Sequence, residues 1–213
     1  MKRILVLLVL VLAGCYDDDS TRIESDNTAH VSSELTTFMK SISLHNASYD
    51  DVVDNSSCFS IEFPYQVTVN NELRTISHIN DLNTIYESDD VEIIYPVSAV
   101  FYNYDKHQMT SAEEYDITLD ACEENFNISS HSCLDFQYPI IIKMFNQVGN
   151  DFHSMQLDHD QDIYTFLDNL HETDVYEIEY PIIMLDHTTG NSESITSNLQ
   201  FETLFESTMQ ECQ

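Results

Sequence analysis

Cys133-Leu134-Asp135-Phe136-Gln137-Tyr138-Pro139-Ile140-Ile141-Ile142-Lys143-Met144 is the stretch that decides the fold. Leu134, Phe136, Tyr138, Ile140, Ile142 and Met144 recur at every second residue, and Asp135, Gln137, Pro139 and Lys143 fall between them. A period of two is that of a strand with one face on a core. Pro139 lies on the outward phase; it has no N–H to give to a ladder, so it marks an edge or a bulge. The pattern recurs in Cys58-FSIEFPYQVTV, Val91-EIIYPVSAVF and Tyr176-EIEYPIIML. All four prolines of the chain sit in these segments, each after an aromatic residue: Phe63-Pro64, Tyr95-Pro96, Tyr138-Pro139 and Tyr180-Pro181.

A turn, a shorter strand and a helix follow each segment. Gln147-Val148-Gly149-Asn150 and Thr189-Gly190-Asn191 supply glycines suited to hairpins. Helices are expected from near Ser77, Ser111, Asp160 and Ser197, and Ser111 to Glu114 and Ser197 to Gln200 have capping-box spacing. Ile163, Phe166, Leu167 and Leu170 make one helical stripe; Phe201, Leu204, Phe205, Thr208 and Met209 make another. The unit is ββα, used four times. The expected fold is α+β: two tandem ββαββα domains, residues 58–124 and 131–213, with antiparallel sheets and helices on one face. Ile94, Val100, Ile141, Ile183 and Leu185 make the outward strand face partly apolar, available to the other half or to a partner.

The amino terminus carries a different signal. Met1-Lys2-Arg3 precedes an apolar run from Ile4 to Ala13, too short for a membrane span, and the run ends in Leu12-Ala13-Gly14-Cys15. This resembles the lipobox of bacterial lipoproteins. The resemblance implies a signal peptide over 1–14, cleavage before Cys15, and acylation, palmitate included, of that cysteine. Two or more acyl chains anchor stably. Tyr16 is not the Asp that retains such proteins at the inner membrane, and Asp17-Asp18-Asp19 is similar to an acidic surface-export tag. The implied location is the outer membrane, on its periplasmic side or at the cell surface. Residues 15–57 are expected to be a lipidated tether. Val31, Leu35, Phe38, Met39 and Ile42 have the spacing of a short helix over 31–44, and 46–57 reads as a polar linker.

Besides Cys15 there are Cys58, Cys122, Cys133 and Cys212, an even number suited to two disulfides in an exported chain. Cys58 and Cys133 each open a pair of units; Cys122 and Cys212 each close one. Symmetry favours Cys58–Cys122 with Cys133–Cys212; the rival is Cys122–Cys133 with Cys58–Cys212.

The body also resembles a family of repeat lipoproteins from marine and flavobacterial genomes. The residues that carry this are Cys133-Leu134-Asp135-Phe136-Gln137-Tyr138-Pro139 and Tyr164-Thr165-Phe166-Leu167-Asp168-Asn169-Leu170. It covers roughly 58–213. It departs at Asp186-His187-Thr188-Thr189-Gly190-Asn191, where the family has a short Asp-Gly turn. The resemblance bears on fold and location, not on a mechanism.

Charge narrows the function. Seven basic residues stand against 38 acidic ones, and loss of Lys2 and Arg3 would take the net charge from −31 to −33. Such a body repels nucleic acid and anionic lipid alike, so its membrane contact is the anchor. Two glycines beyond residue 14 cannot build a phosphate loop. His171-Glu172 opens a zinc-protease motif, but Val175 stands where the second His belongs. Among the scattered histidines, His153 and His159 flank a strand and His131 precedes Cys133. The one metal candidate is Asp158-His159-Asp160-Gln161-Asp162, like the start of a calcium loop, though Ile163 and Asn169 replace its Gly and Glu. Helix capping explains Asp158, Asp160 and Asp162 equally well. The expectation is no catalytic residue, no cofactor beyond a weak calcium possibility, and a binding or structural role in the envelope. Its ligand could be an envelope or extracellular protein or a glycan. The alternatives are a carboxylate- or metal-dependent hydrolase in the cleft between the halves, and a calcium-dependent adhesin.

Overall fold

The computed structural model describes residues 27–125, 133–146 and 151–211. The fold is α+β, with antiparallel sheets throughout. Each aromatic–proline segment is one strand in sequence and two in space. Phe59–Ile61 (β2) and Tyr65–Val69 (β3) flank Pro64, and Val91–Ile94 (β5) and Val97–Phe101 (β6) flank Pro96. Leu134–Gln137 (β8) and Ile140–Asn146 (β9) flank Pro139, and Val175–Ile178 (β11) and Ile182–Asp186 (β12) flank Pro181. All four prolines are exposed, and their peptide bonds are cis.

The broken strands pair crosswise. β2 runs against β6 and β3 against β5, with Ile61 opposite Ala99 and Gln66 opposite Ile94. The register is unchanged across the break, so Pro64 stands opposite Pro96. The Glu62 N–H donates to Ser98 O (2.8 Å); two residues on, the same position falls on the two prolines. Neither has a donor, so the ladder opens there on both sides at once. β8 pairs β12 and β9 pairs β11 in the same way, with the Glu179 N–H donating to Ile141 O (2.9 Å) and Pro139 facing Pro181. The proline is thus neither an edge nor a bulge but a division of the central pair. The ββα unit is not self-contained, because its two half-strands lie in different sheets beside those of its neighbour.

Second strands complete the sheets: Glu72–Ile76 (β4), Lys106–Met109 (β7), Asp151–Leu157 (β10) and Asn191–Ile195 (β13). The orders are β4-β3-β5, β2-β6-β7 and β13-β12-β8, and β10-β9-β11 is extended by Thr28–His30 (β1). Asn70 and Asn71 turn β3 into β4 at φ 52° and 68°, the two positive values a tight hairpin needs. Gly190, at φ +70°, does so for β12–β13. Gly149 lies outside the described residues.

The helices are Glu34–Ile42 (α1), Asp51–Asp54 (α2), Ile79–Leu82 (α3), Ala112–Asn125 (α4), Asp160–Asp168 (α5) and Asn198–Glu211 (α6). The last four share one device. A side chain in the first turn accepts the N–H four residues before it: Asp81 from Ser77 (2.8 Å), Glu114 from Thr110 (2.8 Å), Asp162 from Asp158 (2.9 Å) and Gln200 from Thr196 (2.9 Å). Ser111 and Ser197 return the bond by accepting from Glu114 N and Gln200 N. The expected capping boxes therefore form, displaced by one residue on the acidic side.

Two cores result. One holds Phe59, Ile61, Tyr65, Val67, Val69, Ile76, Val97, Ala99 and Met109. The other holds Leu134, Phe136, Ile140, Ile142, Tyr176, Ile178, Ile182, Met184, Phe201 and Phe205, and with them Ala29, Leu35, Met39 and Ile42.

That last group corrects the expected tether. Residues 28–42 are part of the second core, and 50–54 part of the first. β1 pairs with β11, and Ser33 caps α1 by accepting from Thr36 N (3.2 Å). Leu35, Met39 and Ile42 then face inward, and Phe38 stacks on Phe205 with ring centroids 4.1 Å apart. The apolar stripe of 31–44 needs a surface to cover, and α5 and α6 provide it.

Met39 is fully buried. Met39→Ala should cost about 2–5 kcal/mol in urea unfolding. Lys40→Ala, which breaks an exposed pair with Asp168, should cost at most about 1 kcal/mol. Equal small effects would show that α1 is not a core element.

Candidate functional site

Residues 43–50 carry the chain from the second core to the first and close over the outward face of β2 and β6. Leu44 and Ala47 are buried, and so are Ser60 and Val100, which face each other across the two strands. The His45 N–H donates to Tyr102 O (2.9 Å), and its Nε2 lies 2.6 Å from Ser60 Oγ. Tyr49 OH donates to Ile61 O (3.3 Å), and Tyr104 OH to Ser43 O (3.0 Å). Tyr104 also meets Tyr164 of α5 at 5.7 Å between rings, and Lys40 Nζ sits 4.9 Å over the Tyr164 ring. This segment is a strap: hydrogen-bonded to the first lobe and continuous with α1 on the second.

A serine hydroxyl against a histidine nitrogen has the form of a nucleophile and its base. Burial lowers the His45 pKa, which keeps the ring neutral. Ser60, however, is fully enclosed, and among the described residues no carboxylate orients the ring. The contact fastens the strap.

The strap ends in a group of buried acids. Asp50 and Asp54 lie one helical turn apart at the two ends of α2, 0% and 3% exposed. Asp50 Oδ2 accepts from Ile61 N (2.8 Å) and Asp54 Oδ1 from Ser56 N (3.0 Å). Asp50 Oδ1, Asp54 Oδ2 and the Tyr65 hydroxyl are buried with no hydrogen-bond partner. Tyr115 OH donates to the Asp54 carbonyl. Loss of solvation raises the Asp50 carboxyl to about 7, against the Ile61 N–H, which favours the charged form. Loss of solvation, then the Asp50 charge, raises Asp54 to about 9. Perturbed carboxyls of this kind gather at functional sites. Sequence reading passed over them because 46–57 is polar. The signal it offered was Asp50-x-x-x-Asp54 around Val52-Val53, with Tyr49 alongside.

The residues singled out from sequence are dispersed. Cys58 and Cys122 are joined, Cα to Cα 6.1 Å, which ties the start of β2 to α4; the rival Cys122–Cys133 bridge is not formed. Cys133 is also in a disulfide, and Cys15 and Cys212 lie outside the described residues. Asp158 accepts from Gln156 Nε2 (2.7 Å), Asp160 from Tyr138 OH, and Asp162 from Asp158 N. Each acid of the calcium candidate has its own local partner. Among the described residues no group of three or more His, Cys, Asp or Glu side chains is placed to hold a metal ion. His153 and His159 lie on β10 and at the N-cap of α5; His131 is outside the described residues. His171 N donates to Asp174 Oδ2 (2.8 Å) just after α5.

No family model matches the chain, and neither curated proteins nor solved structures yield a match. What the chain can do is therefore argued from its own residues.

Asp162→Ala should destabilise by about 1 kcal/mol through the lost cap bond. Millimolar calcium should leave the melting temperature of the unaltered protein unchanged. A calcium-dependent rise that Asp162→Ala abolishes would reinstate the ion site.

Proposed function

We propose that this chain is a lipid-anchored protein of the bacterial cell envelope, with a body that binds or scaffolds rather than catalyses. Cys15 carries the acyl chains, and the outer membrane is the location, on its periplasmic side or at the cell surface. The partner is an envelope or extracellular protein or a glycan. The observation that carries the non-catalytic reading is where the perturbed acids lie. Asp50, the last residue of the strap, and Asp54 behind it in α2 are 0% and 3% exposed, closed to a substrate. Of the other acids with shifted pKa values, the part-exposed Asp81, Asp89 and Glu114 and the buried Asp186 are held low by local hydrogen bonds, while burial raises the part-exposed Asp160, whose carboxylate accepts from the Tyr138 hydroxyl. A hydrolytic carboxylate pair needs a raised acid free to meet substrate in a cleft, and Asp160 is engaged by Tyr138 at the start of α5.

The anchor follows from the sequence around Cys15 and accords with the body's electrostatics. Among the described residues no helix is long and apolar enough to cross a membrane. The four basic side chains described, Lys40, Arg74, Lys106 and Lys143, each pair with an acid. Among the described residues acids thus surround every cation, which suits a covalent lipid as the route to the bilayer.

Cells expressing the full chain and fed labelled palmitate should yield a labelled protein in the membrane fraction. Cys15→Ala should abolish the label and leave the signal peptide uncleaved. An unlabelled protein released into the medium would refute the anchor. Protease added to intact cells separates the surface from the periplasmic face.

A further inference from the structure

The strap and α2 are held to the first lobe through groups that dislike one another. Asp50 and Asp54 are both withdrawn from water, and each has one carboxylate oxygen with no partner. The elements packed around them bring acids and phenols. α2 itself adds Asp51, whose Oδ1 is also buried without a partner, and the 85–91 segment beside α2 adds Glu87, Asp89 and Asp90, all acids. β2 contributes the Ile61 N–H, and Glu62 just beyond it is bound to Lys106 at 2.5 Å. β3 contributes the Tyr65 phenol and α4 the Tyr115 phenol. β5 turns Val91 and Ile93 to the core, and its Glu92 lies on the opposite phase, exposed. The strap contributes the Tyr49 phenol and His45, whose ring is kept neutral by burial. Among the described residues no cation faces the pair. Two enclosed carboxyls without a counter-charge cannot both ionise cheaply; one must keep its proton or the pair must reach water.

We propose that Asp50 and Asp54 are a proton-dependent latch: while the pair holds a proton α2 and the strap stay seated on the first lobe, and when both carboxyls ionise they open. The consequence falls on the connection between lobes, because α2 is where the strap meets the first core. An ordinary exposed acidic cluster would not behave so, since its members ionise in water without moving the backbone.

The direction follows from the burial. In the unfolded chain both groups lose their protons near pH 4. In the fold they keep them to about 7 for Asp50 and about 9 for Asp54. Over that window the unfolded state binds fewer protons than the fold, so stability falls as pH rises and levels off above the folded values. Ordinary carboxylates finish ionising by about pH 6. A decline between pH 6 and 9 is therefore the signature of the pair. The histidines are common to the unaltered protein and to Asp50/Asp54 variants, so the comparison isolates the pair.

The test is thermal melting of the full-length protein at pH 6, 7.5 and 9, beside Asp54→Asn and the Asp50→Asn/Asp54→Asn double variant. Asparagine keeps the acceptor oxygens for Ile61 N and Ser56 N and cannot ionise. The unaltered protein should lose about 5 °C or more between pH 6 and 9, and the double variant less than half of that. Hydrogen exchange, corrected for its intrinsic pH dependence, should open first at 44–56. Should the variants fail to fold, infrared spectra of the unaltered protein decide: a protonated carboxyl band must persist at pH 7 and vanish by pH 10. The latch is overturned by an equal decline in the double variant, by the absence of that band, or by recovery of the lost stability at pH 9 on adding calcium alone. The last result would put a cation, not a proton, between the two acids.

Discussion

An antiparallel ladder needs a backbone donor at every second residue, and this chain withholds it at matched points. Pro64 faces Pro96 and Pro139 faces Pro181, each at a position where both strands should donate inward. Were a single proline placed opposite an ordinary residue, one N–H would be left searching for an acceptor. Placed opposite each other, the two prolines leave no orphan donor between them. Each central pair then divides into two short ladders, and each half can take its own third strand. The four sheets, the two cores and the grouping of units into pairs all follow from that matched omission.

The aromatic before each proline answers to the same geometry, and the copies within the chain show how. Tyr138 and Tyr180 donate to Asp160 and Asn198, the first residues of α5 and α6. In the first lobe the corresponding helix starts are Ile79 and Ala112, which offer no side-chain acceptor. There Phe63 has no hydroxyl and stacks on Tyr65, and Tyr95 turns edge-on to Tyr115. The ring supplies apolar area in all four copies; the hydroxyl is used where a helix start can receive it. Asp160 is thereby occupied by a structural bond, which is why an acid-rich run that looks like a calcium loop serves as a helix entrance.

Much of this is legible in the sequence, and the division is physical. Alternation, prolines on the outward phase, helix starts and capping spacings are local, so one stretch such as 133–144 shows them. The crosswise pairing of half-strands is not local; nothing within Cys58–Val69 says that Phe59 and Val67 enter different sheets. The destinations of Thr28–His30 and Glu34–Ile42 were hidden for the same reason. Their apolar stripe was plain, but the surface it covers is built more than a hundred residues later. The Cys58–Cys122 bridge was legible because the two cysteines bracket a pair of units. The candidate site was not, since Asp50 and Asp54 sit in a segment whose composition is that of a linker.

Those two acids also bear on how so acidic a body keeps a defined interior. With 38 acidic residues against seven basic ones, counter-charges cannot neutralise most of the surface. Acids are stabilised instead by local donors: Asp81 and Glu114 each accept an N–H at a helix start, and the buried Asp186 gathers the hydroxyls and N–H groups of Thr188 and Thr189 in its turn. Such bonds stabilise the charged form and need no lysine. Asp50 and Asp54 use the same device, with Ile61 N and Ser56 N as donors, but inside the protein, where one such bond does not offset the loss of water. Asp81 and Glu114 at their helix starts are therefore held low by the fold, and burial holds Asp50 and Asp54 high. Stability tied to the caps is present above the unfolded carboxylate range and fades in acid; stability tied to the pair is present in acid and fades toward alkaline pH. Opposed slopes place the most stable condition between them, on the acid side of neutrality.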